Sequence, residues 1–144
     1  MADTVTSQTI QDGNKTAVLK FTNESDGTGE ASVKKVDVSA LAADSQGNAC
    51  TSVSIARIYW ACRGMGVDIE FDASTNVLAI PLPADSTGDE YYDLFGSIPN
   101  NAGSGVTGDI DSPQSVLVVE TLIQLFWFCI KTINRYGNIW NYCV

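Results

Sequence analysis

A chain of 144 residues is one domain's worth, long enough to bury a core without disulfide or metal staples. Its formal charge of -9 argues against binding to a phosphate backbone, which needs clustered Lys and Arg. The complete absence of histidine excludes Ser-His-Asp and Cys-His catalysis in their usual form and removes zinc-finger ligation.

A surface this acidic keeps copies soluble by self-repulsion and suits docking on a basic surface. Met1-Ala2-Asp3-Thr4 carries no basic start followed by an apolar run, so a signal peptide and Sec export are not expected. Cys50, Cys62, Cys129 and Cys143 form no C-x-x-C pair. Four reduced thiols are expected of a cytosolic product, with a Cys50–Cys62 bridge as the alternative.

Through about Asp111 the chain reads as short extended runs broken by turn chemistry. In 15–22, Ala17, Leu19 and Phe21 share one strand face, with Lys20 and Thr22 on the other. Asn23 to Glu30 is a polar, glycine-bearing connection. Val33, Val36 and Val38 mark a further extended stretch, and a loop follows at 44–48. In 53–62, Val53, Ile55 and Tyr59 alternate with Ile58 and Trp60, which predicts a central strand covered on both faces.

Gly64-Met65-Gly66 turns the chain, and Val67, Ile69 and Phe71 then oppose Asp68, Glu70 and Asp72 with period two. A short strand at 77–80 is expected to stop at Pro81 and Pro83. Residues 85–101 form a polar and aromatic excursion, and 106–111 resume a strand. Short strands about every ten residues predict an all-β antiparallel sandwich, jelly-roll-like in type.

Composition changes after Asp111, which divides the chain into a sandwich domain (1–111) and an apolar, aromatic C-terminal tail (112–144). Of the 17 acidic residues only Glu120 lies in the tail, against Lys131 and Arg135, while Phe126, Trp127, Phe128, Tyr136, Trp140 and Tyr142 crowd into it. As a helix, Glu120, Gln124, Lys131 and Arg135 fall near one stripe of an otherwise apolar cylinder. As a membrane span, 116–130 falls short of the roughly 20 apolar residues needed, and Glu120 interrupts it.

A third reading is a single-base slip after the Asp111 codon. With one base inserted there, Phe126-Trp127-Phe128-Cys129 becomes Leu-Val-Leu followed by His or Tyr, whatever codons are used. Permitted codon choices extend this to a glycine turn leading into a β-rich strand. On that reading, the closing strand of the sandwich lies one nucleotide away from the chain as written.

Candidate sites are few. Asp68, Glu70 and Asp72 set three carboxylates on one strand face, a weak candidate for a hard cation such as calcium; the solvated face of a half-buried strand is the expected reading. Asp26-Gly27-Thr28-Gly29-Glu30 is read as a turn, since no lysine follows and no helix opens after it. Asp85, Asp89, Glu90 and Asp93 could supply paired carboxylates for glycoside chemistry, but the same stretch describes an exposed loop or a contact surface anchored by Tyr91, Tyr92 and Phe95. Trp60 beside Tyr59 is expected in the core rather than on a ligand platform. No catalytic, cofactor-binding or metal residues are assigned, and no enzyme activity is expected.

Several of these segments resemble small virion structural proteins of tailed bacteriophages, of the marine and cyanobacterial type. They are Thr6-Ser7-Gln8, Gln11-Asp12-Gly13, Lys20-Phe21-Thr22, Asp26-Gly27-Thr28-Gly29-Glu30, Lys35-Val36-Asp37-Val38-Ser39, Ile58-Tyr59-Trp60 and Gly105-Val106-Thr107-Gly108-Asp109-Ile110. The resemblance covers 1–111 and implies a β-sandwich component of a particle: a capsid decoration protein, or a neck or tail attachment. It implies partners among copies of itself (a trimer among the options) and the major capsid protein, with neither nucleic acid nor membrane. It implies a virion location after synthesis in the host cytoplasm. A carbohydrate-binding or adhesin-like module is the alternative.

Overall fold

The computed structural model describes residues 4–25, 33–92, 96–112 and 121–133. Its strands are β1 (Thr4–Asp12), β2 (Thr16–Ser25), β3 (Lys34–Val36), β4 (Cys50–Ala61), β5 (Val67–Phe71), β6 (Val77–Leu82), β7 (Thr87–Tyr91), β8 (Ile110–Asp111) and β9 (Thr121–Ile133), with one 3-10 turn at Val38–Ala40. They form a five-stranded sheet, β1-β2-β9-β4-β7, and a four-stranded sheet, β3-β8-β5-β6.

Pairing is antiparallel and nested. β5 pairs β6, β4 pairs β7, β3 pairs β8 and β2 pairs β9. One long hairpin with its tip at β5–β6 has thus been rolled into two sheets, which is the jelly roll that the strand spacing predicts. β1 lies outside the nest, added to the free side of β2.

The core fills the space between the sheets. The larger sheet contributes Ala17, Leu19, Phe21, Val53, Ile55 and Ile58; the smaller contributes Val36, Val67, Ile69, Phe71, Leu82 and Ile110. The alternations read for β2 and β5 are therefore realised, with Val67, Ile69 and Phe71 inward and Asp68, Glu70 and Asp72 half-buried on the other face.

Four local readings change. β4 carries a register shift between Ile55 and Arg57 that makes Ala56 an extra residue, so Val53, Ile55 and Ile58 all face the core. Trp60 follows Ile58 inward and packs against the core, while Tyr59 turns outward beside Arg57. The expected strand, apolar on both faces, is instead one that changes face at a bulge.

Pro81 does not stop β6, which continues to Leu82, because β6 is an edge strand where a missing N–H breaks no ladder. The excursion at 85–101 contains β7 and a bridge between Ile98 and Ile55. Of the strand expected at 106–111, only Ile110–Asp111 is extended into a ladder. Gly108 before it adopts φ 89°, and a Cβ there would meet the Thr51 carbonyl oxygen at 2.2 Å.

The largest correction concerns the tail. Thr121–Ile133 is a strand, not a helix: it pairs β2 from Thr16↔Ile130 to Ser25↔Thr121 and β4 from Cys50↔Ile133 to Ala61↔Gln124. Its Thr, Ile, Phe, Trp and Cys residues favour a pleated surface, and the slot between β2 and β4 offers hydrogen-bond ladders on both sides. The closing strand sought one base away is present in the chain as written. The described part of the tail is built into the sandwich. The remainder (113–120 and 134–144), like the turn at 26–30, lies outside the described residues.

Lys131 illustrates the change. Read as part of a polar helix stripe, its side chain is instead fully buried. Its ammonium pairs with Asp12 Oδ1 and donates to the Ala42 carbonyl at 2.9 Å, while Asp12 Oδ2 accepts from the Ala42 N–H at 2.6 Å. One ion pair thus ties β9, the β1–β2 hairpin and the 41–44 segment together.

Candidate functional site

The bulge in β4 creates an exposed aromatic surface. Past Ala56, Arg57 and Tyr59 point away from the core, and across the ladder Arg57 faces Tyr91 while Tyr59 faces Asp89. The four side chains share the outer face of the sheet, since directly opposed residues lie on the same side. Arg57 grips the Asp89 carboxylate with two parallel bonds, Nε to Oδ1 at 2.8 Å and Nη2 to Oδ2 at 2.5 Å. That hydrogen bonding holds the Asp89 carboxyl below its usual range and raises Arg57 above its own. Because both partners are nearly half exposed, the pair fixes geometry more than it stabilises the fold. Tyr91 is 63 % exposed and Tyr59 41 %.

Tyr91 and Tyr92, expected to act together, diverge. Tyr91 lies on the outer face, whereas Tyr92 is partly buried and packs against the core. Burial, and then Glu90, push the Tyr92 phenol above its usual value. With Ser97, Ile98 and Pro99, Tyr92 lines a shallow hollow of about 360 Å³. Its N–H donates to the Ala56 carbonyl, and Ile98 exchanges two backbone bonds with Ile55, so this segment continues the position of β7 beside β4. Phe95 and Asp93 lie outside the described residues.

The carboxylates proposed for acid–base work are not brought together. Asp89 and Glu90 are consecutive on a strand and so face opposite sides. Asp85, at φ 54°, accepts the Gly64 N–H at 2.9 Å and belongs to a turn. Asp68, Glu70 and Asp72 do share a face, but two of them are engaged by neighbours. Glu70 accepts from Asn76 Nδ2 at 3.1 Å, and Asp72 accepts from Thr107 Oγ1 at 2.7 Å. Among the described residues no group of three or more acidic or cysteine side chains is placed to hold a metal ion.

Two buried acids that the sequence did not single out organise the structure. Asp109, 4 % exposed, accepts the Val38 N–H at 2.8 Å and meets Lys34 Nζ at 2.5 Å, joining the 3-10 turn and β3 to the segment before β8. The hydrogen bond to Asp109 raises the Lys34 ammonium above its usual value. Asp44, also buried, accepts from Gln46 and Asn48 and closes the 44–48 turn. The signal available beforehand was weak: an acid set between Gly108 and Ile110, and an Asp-x-x-Gly-Asn loop.

Cys50 and Cys62 are both buried free thiols, so the bridge between them is not formed. Burial pushes the Cys62 thiol up to about 11, the reverse of what a nucleophile needs. Trp60 sits where the core reading placed it: its ring covers Gly88, where a Cβ would come within 2.3 Å, and its Nε1 donates to Ser86 Oγ at 3.1 Å.

No family model matches this chain, and neither a curated protein nor a solved structure matches it. Among the described residues no helix is long and apolar enough to cross a membrane.

Proposed function

We propose that the protein is a non-enzymatic structural component of a bacteriophage virion, acting as a capsid decoration protein that associates with itself and docks on the shell. The observation that carries this reading is the nested jelly-roll pairing of β2–β9, β3–β8, β4–β7 and β5–β6, an architecture that recurs in viral capsid proteins. That support is an analogy of fold, and the sequence resemblance over 1–111 supplies the particle. The use of the charged groups agrees with it. Asp12, Asp44, Asp72, Asp85, Asp89 and Asp109 each accept hydrogen bonds from the chain's own backbone or side chains, which spends them on structure. The outer face with Arg57, Tyr59 and Tyr91 offers aromatic anchors of the type that contact surfaces favour.

A neck or tail attachment would use the same equipment at low copy number. Mass spectrometry of density-purified phage particles decides among these positions. A decoration protein is expected in hundreds of copies per head, released without loss of the tail; a few copies that leave with the neck would move the assignment there. Absence from particles would sink the reading.

One observation favours a second reading, carbohydrate recognition. Tyr59 and Tyr91 are both exposed on one sheet face beside a fixed Arg57–Asp89 pair, and jelly rolls also serve lectins. Binding of the isolated protein to a glycan array, lost on Tyr59→Ala and Tyr91→Ala, would favour that alternative.

A further inference from the structure

We propose that β1 is a self-association edge: two copies pair antiparallel through Val5–Thr9 about a two-fold axis and join their larger sheets into one continuous sheet. This edge would supply the self-association in the virion reading, but the pairing does not depend on that role.

The first observation is that β1 contributes nothing to the core. Thr4 through Gln11 are exposed on both faces of the strand, and β1 stands outside the nested pairs that close the roll. A nine-residue strand whose residues stay exposed until Asp12 is not explained by stability of the sandwich.

The second is that the other sheet edges carry the usual guards against strand addition while β1 does not. β7 is five residues long and bears Asp89 and Glu90. β3 is three residues long and bears Lys34 and Lys35. β6 carries Pro81. β1 has no proline, no glycine and no charge from Thr4 to Gln11, and its residues are mostly β-branched or hydroxylated. Its one irregularity, the shift between Thr9 and Gln11, lies beyond the regular stretch.

The third is charge. On a chain of net charge -9, two copies approach best where neither presents a carboxylate. A two-fold axis at Ser7 sets Val5 opposite Thr9 and Thr6 opposite Gln8, with β-branched and polar neighbours and no like charges in register. Because the described residues offer a single unguarded edge, the pairing is isologous and stops at two.

Sedimentation equilibrium and intact-mass measurement on the purified full chain test this. The wild type is expected to form a concentration-dependent dimer. Ser7→Lys and Ser7→Glu each place like charges across the axis and should weaken dimerisation about tenfold or more, with unchanged thermal melts at concentrations where all three proteins are monomeric. An equal mixture of the two should restore a mixed dimer. A wild type that stays monomeric to about millimolar concentration, where even weak association is populated, overturns the proposal. So does any oligomer, a trimer included, that both Ser7 variants leave intact. Failure of the virion reading would instead appear as absence from particles, with the dimer retained.

Discussion

Cys62 gives a pH signature that can be measured. Its thiol lies in the core, 1 % exposed, and desolvation raises it from 9.0 to about 11. A group whose folded value exceeds its unfolded one favours the native state below the unfolded value, and that contribution is lost as pH rises. Stability should therefore fall between about pH 9 and 11 as unfolded chains ionise a thiol that the folded chain keeps neutral. Urea midpoints measured across this range should decline less steeply in Cys62→Ala than in the wild type. Parallel declines would mean that other alkaline groups carry the effect.

β9 is the element on which the architecture turns, and Lys131 is its polar tie. The lysine's side chain is fully buried, whereas that of Asp12 keeps 20 % of its exposure and a second bond from the Ala42 N–H. Removing the cation by Lys131→Met leaves Asp12 partly hydrated, so the expected loss is about 2 kcal/mol rather than the larger cost of a stranded, fully buried charge. Asp12→Asn alone should cost more, because the lysine has no route to water. A double-mutant cycle on urea unfolding should then show a coupling of at least about 0.5 kcal/mol. Additive losses would mean that the two groups do not meet.

For the whole molecule, the nested pairing makes the two ends of the chain interdependent. β2 near the N-terminus has β9 as its inner neighbour, and β4 has β9 on one side and β7 on the other. A chain ended at Asp111 would leave a gap of one strand in the middle of the larger sheet and expose ladder groups on both β2 and β4. Such a truncation should give no cooperative thermal transition and should associate through its open edges. A sharp melt close to that of the full chain would show that the first 111 residues are sufficient.

The sequence by itself determined the class of fold and the local rules inside several elements. Ala17, Leu19 and Phe21, and then Val67, Ile69 and Phe71, declare an inward face because side chains alternate along a strand and only one face is apolar. The absence of histidine likewise rules out Ser-His-Asp and Cys-His catalysis in their usual form.

Tertiary structure alone decided the rest. β1 escaped notice because a strand exposed on both faces carries no hydrophobic alternation. The face of Tyr59 depended on one extra residue at Ala56, invisible in a run of apolar residues, and with it the outer surface that joins Tyr59 to Tyr91. The tail reads as a helix from its sequence because its apolar residues fit that period. What made it a strand was the open slot between β2 and β4, whose unpaired backbone groups only a strand can satisfy on both sides.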